Sequence, residues 1–152
     1  MEREQIVGQL NLAQLLRIPF QALVSELHSR LAMEGYPDIP ATHTIVFAHV
    51  DTDGIRLSEL ARRAQLTKQL VNYLVTTLEE RGYVERVPDQ DDGRARIVRM
   101  TERGQQAAKV GSRIIASIER EWAASLSPED MNELRSLLER LVGVLNDSKQ
   151  DK

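Results

Sequence analysis

In TKQLVNYLVTTLEERG, residues 67–82, Lys68, Gln69, Asn72, Tyr73, Thr76 and Thr77 fall on one side of a helical repeat. Leu70, Val71, Leu74 and Leu78 fall on the other, as a buried stripe would. The first face is polar and carries no acid; acids follow only at Glu79 and Glu80. Such a face suits base edges and phosphates in a major groove. A merely solvated face ordinarily mixes both signs of charge, so the nucleic-acid reading is the stronger one.

A second set follows in VPDQDDGRARIVRMT, residues 87–101, which puts three acids around a turn and three arginines after it. Asp92–Gly93 predicts a tight two-residue hairpin turn, because such a turn needs positive φ at its centre. Tyr83 to Val87 and Ala95 to Met100 read as its strands. Arg94 then stands at the tip, with Arg96 just beyond it and Asp92 beside it. Upstream, Ser58, Arg62 and Arg63 in SELARRAQ are candidates for contact with a DNA backbone, and Ser58 also reads as a helix N-cap.

These residues need elements to hold them. Thr67 reads as the N-cap of the second helix and Gly82 as its stop. A helix through Val50 containing THTIVFAH precedes the pair, and DTDG, residues 51–54, ends it before a short strand at Ile55 to Leu57. Leu12, Leu15, Leu16, Phe20, Leu23, Leu27 and Leu31 mark a long amphipathic first helix, with Pro19 expected to kink or divide it. GYPDIPA, residues 35–41, is a connector. Thr101 caps a long helix with Ile114, Ile115, Ile118 and Trp122 on one side. SPED, residues 127–130, opens a last helix whose stripe of Leu134, Leu137, Leu138, Leu141, Val142 and Leu145 is too wide to leave in water.

The fold class expected is mainly α: a winged helix-turn-helix lobe with a helical dimerisation domain from both ends of the chain. The boundaries are 1–35 for an N-terminal dimerising helix, 36–101 for the winged helix, 102–146 for C-terminal dimerising helices, and 147–152 for a disordered tail. The exposed stripes call for a second copy of the chain.

The stretch from residue 40 to 105 resembles the MarR family of transcriptional regulators. The helix pair, the LEERGYVER junction and the wing DQDDGRARIVRMT stand in that family's order and spacing. The wing answers a D-x-R-x-x-x-V-x-L-T pattern with Asp92, Arg94, Val98, Met100 and Thr101. The resemblance implies a homodimeric, DNA-binding regulator, with repression the expected mode, acting on a pseudopalindromic operator in double-stranded DNA. It implies that Arg94 enters the minor groove and that a wing aspartate holds it, although Asp92 could equally serve the turn. It also implies release by a small aromatic or anionic effector lodged near the first, second and fifth helices, where Phe20, His43 and Phe47 are candidates. Phe47 is the more easily read as core. Two departures are Gly93, where many relatives carry a second basic residue, and Leu70 with Tyr73, where small polar or basic residues are common.

Composition narrows the alternatives. The net charge is −3, yet residues 56–103 carry ten Lys and Arg against eight Asp and Glu, so the middle is the electropositive part of an acidic chain. With no cysteine there is no disulfide, thiolate metal site or thiol oxidation switch. His28, His43 and His49 form no i,i+4 chelating pair. HVDTDGIRLSEL, residues 49–60, spaces oxygens like a calcium loop, but His49 is a poor first ligand and Leu60 stands where the bidentate Glu must be. No cofactor is expected and no enzyme signature is present. The expected setting is the cytoplasm, without a membrane. The alternative reading, a winged helix for protein contact alone, has less need of both an acid-free face and a tip arginine.

Overall fold

The computed structural model of the chain describes residues 10–150. The first element, α1, runs Leu12–Met33 behind a capping box. There the Asn11 side chain accepts from the Gln14 amide and Gln14 accepts from the Asn11 amide. The helix is continuous through Pro19, so the expected division does not occur. Leu27 and Leu31 are buried, whereas Leu12, Leu15, Leu16, Ile18 and Phe20 are exposed.

After the connector, a 3₁₀ turn at Ala41–His43 leads into a short helix, α2, Thr44–Phe47. This is less helix than the sequence suggests. Pro40 supplies no N–H, and the chain tightens at once, with His43 N–H donating to the Pro40 carbonyl. The strand β1, Ile55–Arg56, passes directly into α3, Leu57–Ala64. Arg56 occupies the cap position without a side-chain bond, so Ser58 lies within the first turn and is not the N-cap.

Gln65 takes a left-handed conformation (φ 56°) to turn the chain into α4, Lys68–Glu80. Thr67 caps α4 as expected, its Oγ1 accepting from the Leu70 amide at 3.2 Å. Val71, Leu74, Val75 and Leu78 are the buried residues of this helix. Leu70, assigned to that stripe from sequence, is 42% exposed, and Val75 takes its place. Gly82 ends the helix at φ 78°, and Tyr83 N–H closes onto the Leu78 carbonyl.

Strands β2, Val84–Pro88, and β3, Arg96–Met100, complete a three-stranded antiparallel sheet in the order β1-β3-β2. The register sets Val84 opposite Met100, Pro88 opposite Arg96, and Ile55 opposite Val98. The tight turn expected at Asp92–Gly93 is replaced by a longer loop, and Gly93 does not take positive φ. Asp89 explains why. Its N–H donates to the Ala95 carbonyl, and its buried carboxylate accepts from the Asp91 amide. The loop is thus fastened at its base and closes on an Ala95-to-Asp92 bond that needs no left-handed residue.

Buried Leu60, Val71, Leu74, Val75, Leu78, Tyr83, Val84 and Val98 belong to one core. At ~1.5–3 kcal/mol for each large apolar side chain, that burial fastens α4 to the sheet. The chain then continues through α5, Glu102–Ser125, and α6, Pro128–Gln150. Ser127 accepts from the Asp130 amide, as the SPED signature predicts. The helical backbone reaches Gln150, past the point at 147 where a disordered tail is expected; residues 151 and 152 lie outside the described part. So do residues 1–9 of the expected N-terminal segment.

The chain forms two compact units that divide within α5, one up to Ile114 and the other from Ile115. In the second, Arg135 pairs with Glu119 at 2.7 Å, and Leu134, Leu137, Leu138, Leu141, Val142 and Leu145 are exposed. Among the described residues, no helix is long and apolar enough to cross a membrane.

Candidate nucleic-acid interface

On α4, Lys68, Gln69, Asn72 and Tyr73 are exposed, and Thr76 and Thr77 half-buried. The six do not act as one surface. Thr77 spends its hydroxyl on the Tyr73 carbonyl. Tyr73 leans to one edge, its ring 5.9 Å from His43. Asn72 and Thr76 face the other edge, where they meet Arg86 of β2. Arg86 went unnoticed in the sequence. Its backbone N–H and one guanidinium nitrogen both bond to Glu79, while a second nitrogen donates to Asn72 Oδ1 (3.0 Å) and Thr76 Oγ1 (3.1 Å).

The wing holds a buried carboxylate, but it belongs to Asp89. Arg56 donates to Asp89 Oδ2 at 2.6 Å, tying the loop to β1. The Asp91 amide, then Arg56, hold the Asp89 carboxyl below its ordinary pKa. Asp92 accepts from the Arg94 backbone N–H at 3.1 Å, so it shapes the turn rather than gripping the Arg94 side chain. Arg94 and Arg96 are exposed. Among the described residues neither they nor Lys68 form an ion pair. Ser58, Arg62 and Arg63 are exposed on α3, yet Glu59 engages both arginines. Those bonds lower the Glu59 pKa to about 2, so near neutrality it offsets part of their charge.

Behind the interface, the fully buried Tyr83 ring lies near Tyr36 and Phe47, and Arg103 sits 4.7 Å over it. The Tyr83 hydroxyl donates to Asp38. Burial opposes ionisation of Asp38, but this bond and the nearby Arg103 and Arg81 charges outweigh it and hold the pKa down. The connector is thereby pinned to the start of α5.

A groove of about 690 Å³ opens between α1, α2 and α4. Phe20 lines it, as expected, along with Val24, Ile45, Leu70 and Tyr73. His43 and Phe47 do not. Phe47 packs edge-on against Tyr83 in the core. His43 is buried beside the groove with no partner for Nε2; burial, then the Arg81 charge, lower its pKa and keep it neutral. The histidine on the groove wall is His28, whose Nδ1 donates to the Ile39 carbonyl at 2.8 Å. Among the described residues, no Lys or Arg lines the groove.

Residues 38–95 match the model of the MarR family. An HTH-type transcriptional repressor of Mycobacterium tuberculosis is 31% identical over 88 residues, 58% of this chain. The match spans 63% of that relative's length. Streptococcus pneumoniae FabT, solved in complex with DNA, superposes with a TM-score of 0.73 at 19% identity, covering 89% of this chain and 95% of FabT. The Streptomyces coelicolor regulator PcaV, solved with its natural ligand, gives 0.67 at 22% identity, over 88% and 92%. At those identities the likeness is one of fold, a mainly helical winged helix.

Proposed function

We propose, from the match of residues 38–95 to the model of the MarR family, that the protein is a sequence-specific DNA-binding transcriptional regulator, a repressor in its default action. One observation carries this reading. Lys68 at the start of α4 and Arg94 and Arg96 on the wing are exposed cations that form no ion pair among the described residues, in the same lobe as the polar face of Gln69, Asn72 and Thr76. Cations left free in a chain of net charge −3 are placed for an external polyanion. The DNA complex of FabT supports the same reading.

The protein acts as a homodimer whose dimerisation elements are α1, α5 and α6. The exposed leucines of α1 and α6 supply the apolar surface, and a stable pairing buries ~1,200–2,000 Å². Two-fold symmetry then matches a pseudopalindrome with half-sites about 10 bp apart. Gel shifts on the DNA upstream of its own gene, at two salt concentrations, are expected to show two chains per duplex and affinity falling steeply with salt. A monomer by light scattering at micromolar concentration, or binding indifferent to salt, refutes the proposal.

The groove is the effector site. Its walls are mostly apolar, and with no Lys or Arg among the described lining residues they suit a neutral aromatic molecule better than a carboxylate. With Nδ1–H committed to the Ile39 carbonyl, His28 has Nε2 left to hydrogen-bond a ligand hydroxyl. Such a ligand shifts the protein only through differential affinity; a 100-fold loss of DNA affinity needs about 2.7 kcal/mol. Neutral phenols are expected to raise Tm more than benzoates do, and to compete with DNA. Compounds that raise Tm and leave DNA affinity unchanged contradict this role.

A further inference from the structure

We propose that Arg86 is a positioning residue that sets which base α4 reads, by turning Asn72 and Thr76 into hydrogen-bond donors. The inference rests on the DNA-binding reading above. A guanidinium can only donate, so the end of the Asn72 amide that faces it must be Oδ1, which it meets at 3.0 Å. The same nitrogen donates to Thr76 Oγ1 at 3.1 Å and lies 3.5 Å from the Asn72 carbonyl. Arg86 cannot swing away easily. Its other nitrogen and its own backbone N–H are both engaged by Glu79, and β2 holds it opposite Val98.

With Oδ1 drawn toward the strand, the end of Asn72 left for a base is Nδ2, a donor. With Thr76 Oγ1 already accepting, its hydrogen is left to donate. A bidentate Asn–adenine contact uses both the amide oxygen and the amide nitrogen. Here Asn72 Oδ1 and Thr76 Oγ1 are both turned toward Arg86, so the groups that face away from it are donors, the Nδ2 hydrogens and the hydroxyl hydrogen. Guanine offers two acceptors in the major groove, O6 and N7, and cytosine offers a donor. The base facing Asn72 and Thr76 is therefore guanine.

The test is selection of bound sequences from a randomised duplex library by the purified full-length dimer. The position read by Asn72 is the one whose preference vanishes in Asn72→Ala. The wild type is expected to enrich guanine there roughly 10-fold. Arg86→Met frees the amide to turn and is expected to shift that position toward adenine, while Arg86→Lys retains guanine in part. Asn72→Asp lies on the surface, leaves the core untouched, and is expected to move the preference to cytosine even if Arg86→Met folds poorly. Adenine at that position in the wild type, or an unchanged profile in a folded Arg86→Met protein, overturns the inference while leaving DNA binding intact. Absence of any duplex binding by the wild type overturns both.

Discussion

Arg94→Ala is expected to weaken operator binding by ~10-fold per protomer, about 100-fold for a dimer that engages two half-sites. The wing loop is fastened at its base by Asp89, Arg56 and the Ala95 carbonyl, so the Arg94 backbone is held while its side chain stays in solvent. Among the described residues that side chain forms no ion pair, so its removal exposes no orphaned carboxylate, and Tm should move by no more than ~1–2 °C. Arg99 is the control. It is also exposed on the hairpin, but it pairs with Glu85 at 2.7 Å across the strands. Arg99→Ala should cost little affinity. Anisotropy titrations at several salt concentrations read both affinities and the salt slope. Equal, small losses from the two substitutions would mean that the wing acts through general charge, and wild-type binding by Arg94→Ala would remove the wing from the interface.

The contrast between Arg94 and Arg56 marks how far the sequence could be read. Caps and stops are local, so Thr67, Gly82, Thr101 and Ser127 announce themselves and do what their types predict. Asp89 and Arg86 work through partners far along the chain: Arg56 lies 33 residues from Asp89, and Asn72 lies 14 from Arg86. Nothing in DQDDG says which aspartate turns inward. Asp92 serves the turn, one of the two roles open to it, whereas buried Asp89 pairs with Arg56 of β1, an element of two residues. Leu70, placed in the buried stripe, misleads for a related reason. Periodicity separates polar from apolar, but it cannot show that the edge of a helix serves a groove whose other walls come from α1 and α2. The same limit applies to His43 and Phe47: residue type does not show that Phe47 packs on Tyr83 in the core, or that His43 is buried beside the groove and not on its wall.

Two glycines on α5 should respond to the same substitution with opposite signs. Alanine in a helix interior is favoured over glycine by ~1 kcal/mol, so Gly→Ala is stabilising wherever there is room. At Gly111 there is room, because among the described residues an added methyl would meet only Leu27 Cδ1, at 3.9 Å. Gly111→Ala is expected to raise Tm by ~2–4 °C. At Gly104 the methyl would lie 2.0 Å from the Tyr83 carbonyl oxygen and 3.0 Å from its carbon. That carbonyl accepts from the Thr101 amide, Thr101 in turn donates to the Gly82 carbonyl, and the Tyr83 side chain is fully buried. Backbone held this way yields only by disturbing the start of β2 or the seat of α5. Overpacking of this kind costs typically ~1–3 kcal/mol, and a clash with backbone falls at the upper end, which exceeds the helix-propensity gain. Gly104→Ala is therefore expected to lose ~2 kcal/mol, or ~4–8 °C in Tm. Since α5 and the wing are joined there, DNA affinity should fall with it, whereas Gly111→Ala should bind as the wild type does. Thermal melts of both variants decide the matter: a Gly104→Ala protein as stable as the wild type would mean that α5 does not approach β2 as closely as this geometry requires.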